Sequence, residues 1–267
     1  MASLVFLLLS LPAIAQVRWR EIQPGLRCSS HPLREKSAPG DSHIFLLDID
    51  PEKFEFELLS ASERGKGKKT LSRWCRENAL LAGINAGMFV PGISGELLSV
   101  GYMQNYGHIN QPATNNYSQW IAFHPKKPGL PSFRIFDADC ENVSALKDDY
   151  HSLIQANTLM NCRRKITWQE DGRKFSMVLL GMDNKGHCLM MHCRTPYHPA
   201  RLAGLLAEDL PGLQRLVFLD GGSISSFFLT SPALKKSLTG SYQTRFSEHD
   251  RNRRFRPLPN VLGIRKK

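Results

Sequence analysis

Apolar stretches of strand length recur along the chain, each bounded by turn-forming or charged residues, and this spacing restricts the fold more than any other feature. They are Ile44–Ile49, Phe54–Leu59, Leu80–Ile84, Leu97–Met103, Trp120–Phe123, Met177–Leu180, Leu189–Met191, Leu216–Leu219 and Ser226–Leu229. Helical patterns are fewer. Thr70 is placed to cap a helix over Leu71–Glu77, and His198–Leu210 sets Leu202, Leu205, Leu206 and Leu210 on one face. Strands therefore outnumber helices and do not alternate with them, which predicts an α+β fold with a mixed, largely antiparallel β-sheet and a few helices. No internal repeat or long linker divides the chain, so one domain is expected over residues 16–267, with Glu63–Lys69 as a Gly/Lys-rich loop.

The first residues read differently. Ala2–Ala15 is apolar apart from Ser3, Ser10 and Pro12 and ends Ala13-Ile14-Ala15, a small-x-small pattern expected to be cleaved after Ala15. It is short of the roughly 20 apolar residues that cross a bilayer, and no later stretch is long and apolar enough to do so. The expectation is a signal peptide over residues 1–15 and a secreted or periplasmic protein with no stable membrane span. Against 24 Asp and Glu the chain carries 35 Lys and Arg, a formal charge of +11 that favours acidic partners. Export and the lack of a recognised motif speak against nucleic acid. Arg251, Arg253, Arg254 and Arg256 form a basic run near the end, read first as a solvated tail.

Cys28, Cys75, Cys140, Cys162, Cys188 and Cys193 all follow the leader, where an exported protein can oxidise them. Their spacing does not choose the pairs. His187, Cys188, His192 and Cys193 resemble a metal cluster, but strand alternation puts His187 and Cys193 on one face and Cys188 and His192 on the other. Four ligands then cannot converge, so no metal and no cofactor are expected.

Two segments carry chemistry. Leu81–Phe89 places Asn85 at a strand end before Gly87, where its amide can donate and accept toward a sugar hydroxyl, or close its own turn. Val217–Ser226 releases a carboxylate, Asp220, from the end of a buried strand into Gly221-Gly222-Ser223, where glycines allow a ligand close to the backbone. Asp-Gly-Gly alone also makes an ordinary hairpin.

Together with Gly101-Tyr102 and the Pro257–Ile264 segment, Ile84–Phe89 and Leu219–Ser223 with Ser225 and Ser226 make this chain resemble the phosphodiester glycosidase family, in a divergent bacterial branch marked by Ser99–Met103 and Arg194–Tyr197. The resemblance runs from about residue 40 to the end. It implies an exported α+β domain that hydrolyses the bond between a sugar's anomeric carbon and a phosphodiester, with a phosphorylated carbohydrate or anionic glycan as partner. Expulsion of a phosphate monoester needs little general acid help. On that chemistry Asp220, with Glu96 in reserve, is the candidate to stabilise the oxocarbenium-like centre or activate water, and Asn85 to hold the sugar. Gly87, Gly101, Tyr102, Gly221, Gly222 and Ser223 line the substrate, and Arg194 pairs with phosphate.

The chain departs from the better-known branch at Gln155-Ala156-Asn157-Thr158, at Val90-Pro91-Gly92 and at Ser176–Leu180, where a basic residue is missing. Arg163, Arg164 or Arg194 would have to replace that residue. A non-catalytic binder of anionic glycans on the same fold is the alternative.

Overall fold

The computed structural model describes residues 16–65, 67–93, 95 and 97–267, so the expected leader over residues 1–15 and the reserve carboxylate Glu96 lie outside the described residues. Among the described residues twenty strands stand against three short α-helices, Leu71–Glu77, Leu146–Asp149 and Pro199–Asp209, so the fold is mainly β. The larger sheet runs, edge to edge, through Arg20–Gln23, Leu26–Pro32, His43–Ile49, Cys188–Tyr197, Phe175–Asp183, Leu213–Gly221, Tyr150–Met160, Gln119–Pro125 and Phe133–Asp137. A hairpin of Met103–Asn105 and His108–Gln111 joins it at Tyr150–Met160. The smaller sheet orders Lys235–Thr239, Ser226–Thr230, Ala82–Asn85, Asn260–Lys266 and Phe54–Ser60.

Every described strand pairing is antiparallel, which corrects the expected mixed sheet. The reason is connection chemistry: neighbouring parallel strands need a crossover of a dozen residues or more, usually a helix. Here the two longer helices instead cover the outer faces of the sheets.

The sheets pack face to face. Phe45, Leu47, Val178, Leu180, Val217 and Leu219 of the larger sheet meet Phe56, Ala82, Ile84, Phe227, Leu262 and Ile264 of the smaller one in a single buried cluster. Phe45 meets Phe227 edge-on at 5.0 Å between ring centres. Outside the larger sheet, Leu202, Leu205 and Leu206 of the helix at residues 199–209 cover Leu46, Leu179, Met191 and Phe218, as the leucine spacing predicts. Outside the smaller sheet, Leu71, Trp74 and Cys75 cover Leu59, Phe228 and Val261. Thr70 takes the N-cap position of that helix, but its hydroxyl faces the Ser72 hydroxyl at 3.4 Å instead of capping the backbone.

The longest strand, Tyr150–Met160, has no counterpart among the apolar runs of the sequence. Its interior is polar and satisfied: buried Gln155 accepts from the Tyr102 and Asn115 backbone N–H groups and donates to the Asn115 and Tyr117 carbonyls. A buried amide with all four bonds made costs little and fixes the connecting loop.

Cys140 and Cys162 form a disulfide, while Cys28, Cys75, Cys188 and Cys193 are buried thiols. Burial pushes Cys75 up to about 12 and also raises Cys188 and Cys193, which makes them inert packing residues. The bridge closes a loop of 22 residues that spans the entry into Tyr150–Met160. Replacing both cysteines by serine is expected to lower stability by about 3 kcal/mol, the chain entropy returned to the unfolded state, measured as a lower urea midpoint.

Candidate active site

Asp220 owes its direction to an irregularity in its strand. Between Phe175–Asp183 and Leu213–Gly221 the register runs Leu179 opposite Phe218 and then Val178 opposite Asp220, so Leu219 is an extra residue. Such a bulge re-aims the side chain that follows it. Leu219 belongs to the inter-sheet core, and regular alternation would send Asp220 to the outer face with Phe218. The bulge instead turns Asp220 inward, toward the smaller sheet.

There it meets Asn85, the last residue of Ala82–Asn85. Asn85 Nδ2 donates to Asp220 Oδ2 at 2.9 Å and to the Ile224 carbonyl at 3.3 Å, and Asn85 Oδ1 accepts from the Ser226 backbone N–H at 2.9 Å. The Gly221 N–H donates to Asp220 Oδ1 at 2.8 Å. Asn85 is fully buried and Asp220 is 8% exposed. Burial lifts the Asp220 carboxyl to about 7, against the pull of the Gly221 and Asn85 donors. A carboxylate poised near neutrality at the end of two sheets is a group built for chemistry more than for stability.

The turn after it is closed by glycines. Gly222 has φ +70, and a Cβ there would stand 2.5 Å from Gln243 Oε1. Gly240, which the sequence analysis passes over, packs on the same turn: a Cβ would lie 2.2 Å from the Gly222 carbonyl oxygen and close on the Ser225 hydroxyl. Ser225 Oγ donates to the Gly222 carbonyl at 2.9 Å and Ser226 Oγ to the Ile224 carbonyl at 2.7 Å, so both hydroxyls serve the turn itself. Ser223 keeps a half-buried side chain on the rim.

The cations are distributed unevenly. Arg194 ion-pairs with Asp250 at 2.6 Å, donates to the Asn252 carbonyl at 2.8 Å and to Thr239 Oγ1 at 3.1 Å, and also bonds the Thr239 carbonyl. It clamps residues 239–252 against the larger sheet, and a phosphate would have to displace Asp250 to reach it. Arg164 is spent on the carbonyls of Ala207, Pro211 and Leu213. Arg163 is exposed. The basic run, by contrast, is no loose tail. Asn252 Nδ2 donates to the Gly240 carbonyl at 2.7 Å and the Ser223 carbonyl at 3.2 Å, which stitches residues 251–254 to the turn after Asp220. Arg251 and Arg254 are exposed there and make no ion pair among the described residues.

Other expected site residues fall elsewhere. Tyr102 is buried against Trp120 at 5.5 Å, with its hydroxyl bonded to Gln104, and a Cβ on Gly101 would stand 2.7 Å from the Gln155 carbonyl oxygen. These two residues seat the loop on Tyr150–Met160. Gly87, at φ +134, turns the chain out of Asn85 so that Met88 packs on the outer cluster of Phe175 and Phe218. A cleft of about 590 Å³ is lined by Tyr117, Asn157, Trp168 and Arg173, and Asp220 is not among its lining residues.

One neighbour escaped the sequence analysis. His192 lies opposite Val178, which lies opposite Asp220, so the three form a row across adjacent strands on the inner face. At about 10 Å, two strand spacings, His192 does not touch Asp220. Burial pushes it down to about 4, so it is neutral at pH 7, and its Nε2 has no hydrogen-bond partner. Alternation correctly separates Cys188 and His192 from Cys193. Around Asp220 no group of three ligands for a metal forms among the described residues.

The sequence matches the phosphodiester glycosidase family over residues 78–265. No curated protein matches it. The catalytic domain of zebrafish N-acetylglucosamine-1-phosphodiester alpha-N-acetylglucosaminidase, auto-inhibited by its pro-peptide, superposes with a TM-score of 0.64 at 14% identity, over 93% of this chain and 86% of that one. A hypothetical protein from Synechocystis superposes with a TM-score of 0.61 at 11% identity over 94% of this chain, which spans 64% of that protein's length. At these identities the superpositions establish a shared fold. The matched stretch takes in Asn85, the Asp220 bulge, the glycine turn and all but the last residue of the strand Asn260–Lys266, and on that match the chain belongs to the phosphodiester glycosidase family.

Proposed function

We propose that this protein hydrolyses the bond between a sugar's anomeric carbon and a phosphodiester, with Asp220 as the acting carboxylate. The observation that carries the proposal is the inward-turned Asp220, held near neutral pKa by burial while Asn85 and the Gly221 N–H occupy one lone pair on each oxygen. As the carbon–oxygen bond breaks, positive charge grows on the sugar and a phosphate monoester departs with the electron pair. An ionised Asp220 stabilises that charge or takes a proton from the incoming water. The leaving phosphate is stable as an anion, so the protein's task on that side is charge neutralisation, a role we assign to the exposed Arg251 and Arg254, whose neighbour Asn252 is bonded to the turn after Asp220.

Export to a secreted or periplasmic location, where cell-envelope or exopolysaccharide material would be the substrate, belongs to the same proposal. It is supported by the Ala13-Ile14-Ala15 pattern and by the Cys140–Cys162 bridge, which suits an oxidising compartment. The second reading, a non-catalytic binder of anionic glycans, is favoured by the ion-paired state of Arg194 together with the exposed arginines of residues 251–254.

Three outcomes are expected. With an N-acetylglucosamine-1-phosphodiester as substrate, the protein releases free sugar and Asp220→Asn lowers turnover by at least about 100-fold, the usual scale for a positioned acid–base group. A binder would release no sugar and would keep its glycan affinity in Asp220→Asn. Because the ionised form acts, turnover climbs with pH up to about 7 and levels off above it. A fall across the same range would make Asp220 a proton donor instead.

Asp220 also sets a pH dependence of stability. Its folded value, about 7 against an ordinary 3.8, means that stability falls as pH rises from about 4 to about 7, by at most about 4 kcal/mol. Asp220→Asn lacks that dependence, so its advantage over the parent in urea melts should grow between pH 4 and pH 8.

A further inference from the structure

We infer that Glu55, Glu57 and His124 form a binding site for a zinc-class divalent metal ion, which joins the edge of the smaller sheet to the larger one. Glu55 and Glu57 lie on the edge strand Phe54–Ser60, and His124 on Gln119–Pro125 of the other sheet. One ligand atom from each falls within 4.8 Å of the other two. Around a tetrahedral zinc with bonds near 2.1 Å the ligands stand about 3.4 Å apart, a modest closure for carboxylates on flexible stems.

The hydrogen bonds around His124 point to a cation. Asn105 Nδ2 donates to both oxygens of Glu63, at 3.0 and 3.1 Å, so Asn105 Oδ1 is the acceptor that takes the Ser152 hydroxyl proton at 2.8 Å. Ser152 Oγ then accepts from His124 Nδ1–H at 2.9 Å, which leaves Nε2 with its lone pair. The His124 side chain is 10% exposed, and its Nε2 has no hydrogen-bond partner and faces Glu55 Oε1 at 4.0 Å. A lone pair aimed at a carboxylate is repulsive until a positive centre lies between them. A histidine whose other nitrogen is held by a hydrogen-bond relay ending on a carboxylate is the usual arrangement behind a metal ligand.

Arg265 is the competing cation. It pairs with Glu57 Oε1, and its Nε approaches Glu55 Oε2 at 3.5 Å without making a hydrogen bond. It therefore leaves one oxygen free on each carboxylate. Nitrogen with two carboxylates suits zinc better than calcium or magnesium, which prefer oxygen alone. The site shares no residue with the Asp220 turn.

The test is calorimetric titration of the chelator-treated full chain with zinc, calcium and magnesium chlorides, with thermal unfolding in parallel. Expected are one zinc per chain, a higher melting temperature with zinc, and no saturable binding of the other two ions. Ser152→Ala should weaken zinc binding by about 10-fold or more, and Glu55→Gln and Glu57→Gln further still. Glu55 is exposed enough for its variant to fold in either case. Absence of stoichiometric zinc binding by the parent, or binding of undiminished affinity in Glu55→Gln, would overturn the assignment.

Discussion

The hydrogen bond between Asn85 and Asp220 is the constraint around which this molecule is arranged. A carboxylate between two sheets is expensive unless donors meet it, and the donor comes from the other sheet. That requirement explains features that are otherwise unrelated. The bulge at Leu219 turns the carboxylate inward, and Asn85 ends its strand where its amide spans Asp220, Ile224 and Ser226. Gly222 and Gly240 press the connecting turn close enough for those bonds to form. The donors moderate the cost of burial without cancelling it, which leaves Asp220 near neutrality and not in the ordinary carboxylate range.

Much of this was legible from the chain. Asn85 and Asp220 stand where apolar runs give way to glycine, and the two longer helices fall where the leucine and cap patterns put them. What was not legible depends on partners distant in sequence. Tyr150–Met160 reads as polar because Ser152, Gln155 and Thr158 are satisfied by groups from other segments. His192 and Asp220 share a row only through a register that includes a bulge, and no periodicity rule supplies that. Arg194 has the chemistry of a phosphate ligand, and only the fold shows Asp250 beside it. Likewise, Glu55 and His124 lie 69 residues apart, whereas ligand motifs are sought at short spacing.

Charge is used locally in two different ways. Where arginines face carbonyls, as Arg164 and Arg194 do, they fasten chain segments to the sheet. Where they stand exposed, as Arg251 and Arg254 do, they flank Asn252, which is bonded to the turn after Asp220. The net charge of +11 therefore says less about the protein than the separation of its arginines into fasteners and a surface patch.

The place of Asn260–Lys266 bears on how the molecule is made. This strand lies between Ala82–Asn85 and Phe54–Ser60 and pairs with both. During synthesis, Phe54–Ser60 has no neighbour in its sheet, and the inner face of Ile84 has no complete wall, until residues some two hundred positions later leave the ribosome. Contacts of such long range fold slowly and leave apolar edges open in the interval. The smaller sheet is thus open to aggregation until Asn260–Lys266 emerges, and this late strand is the one that seals it.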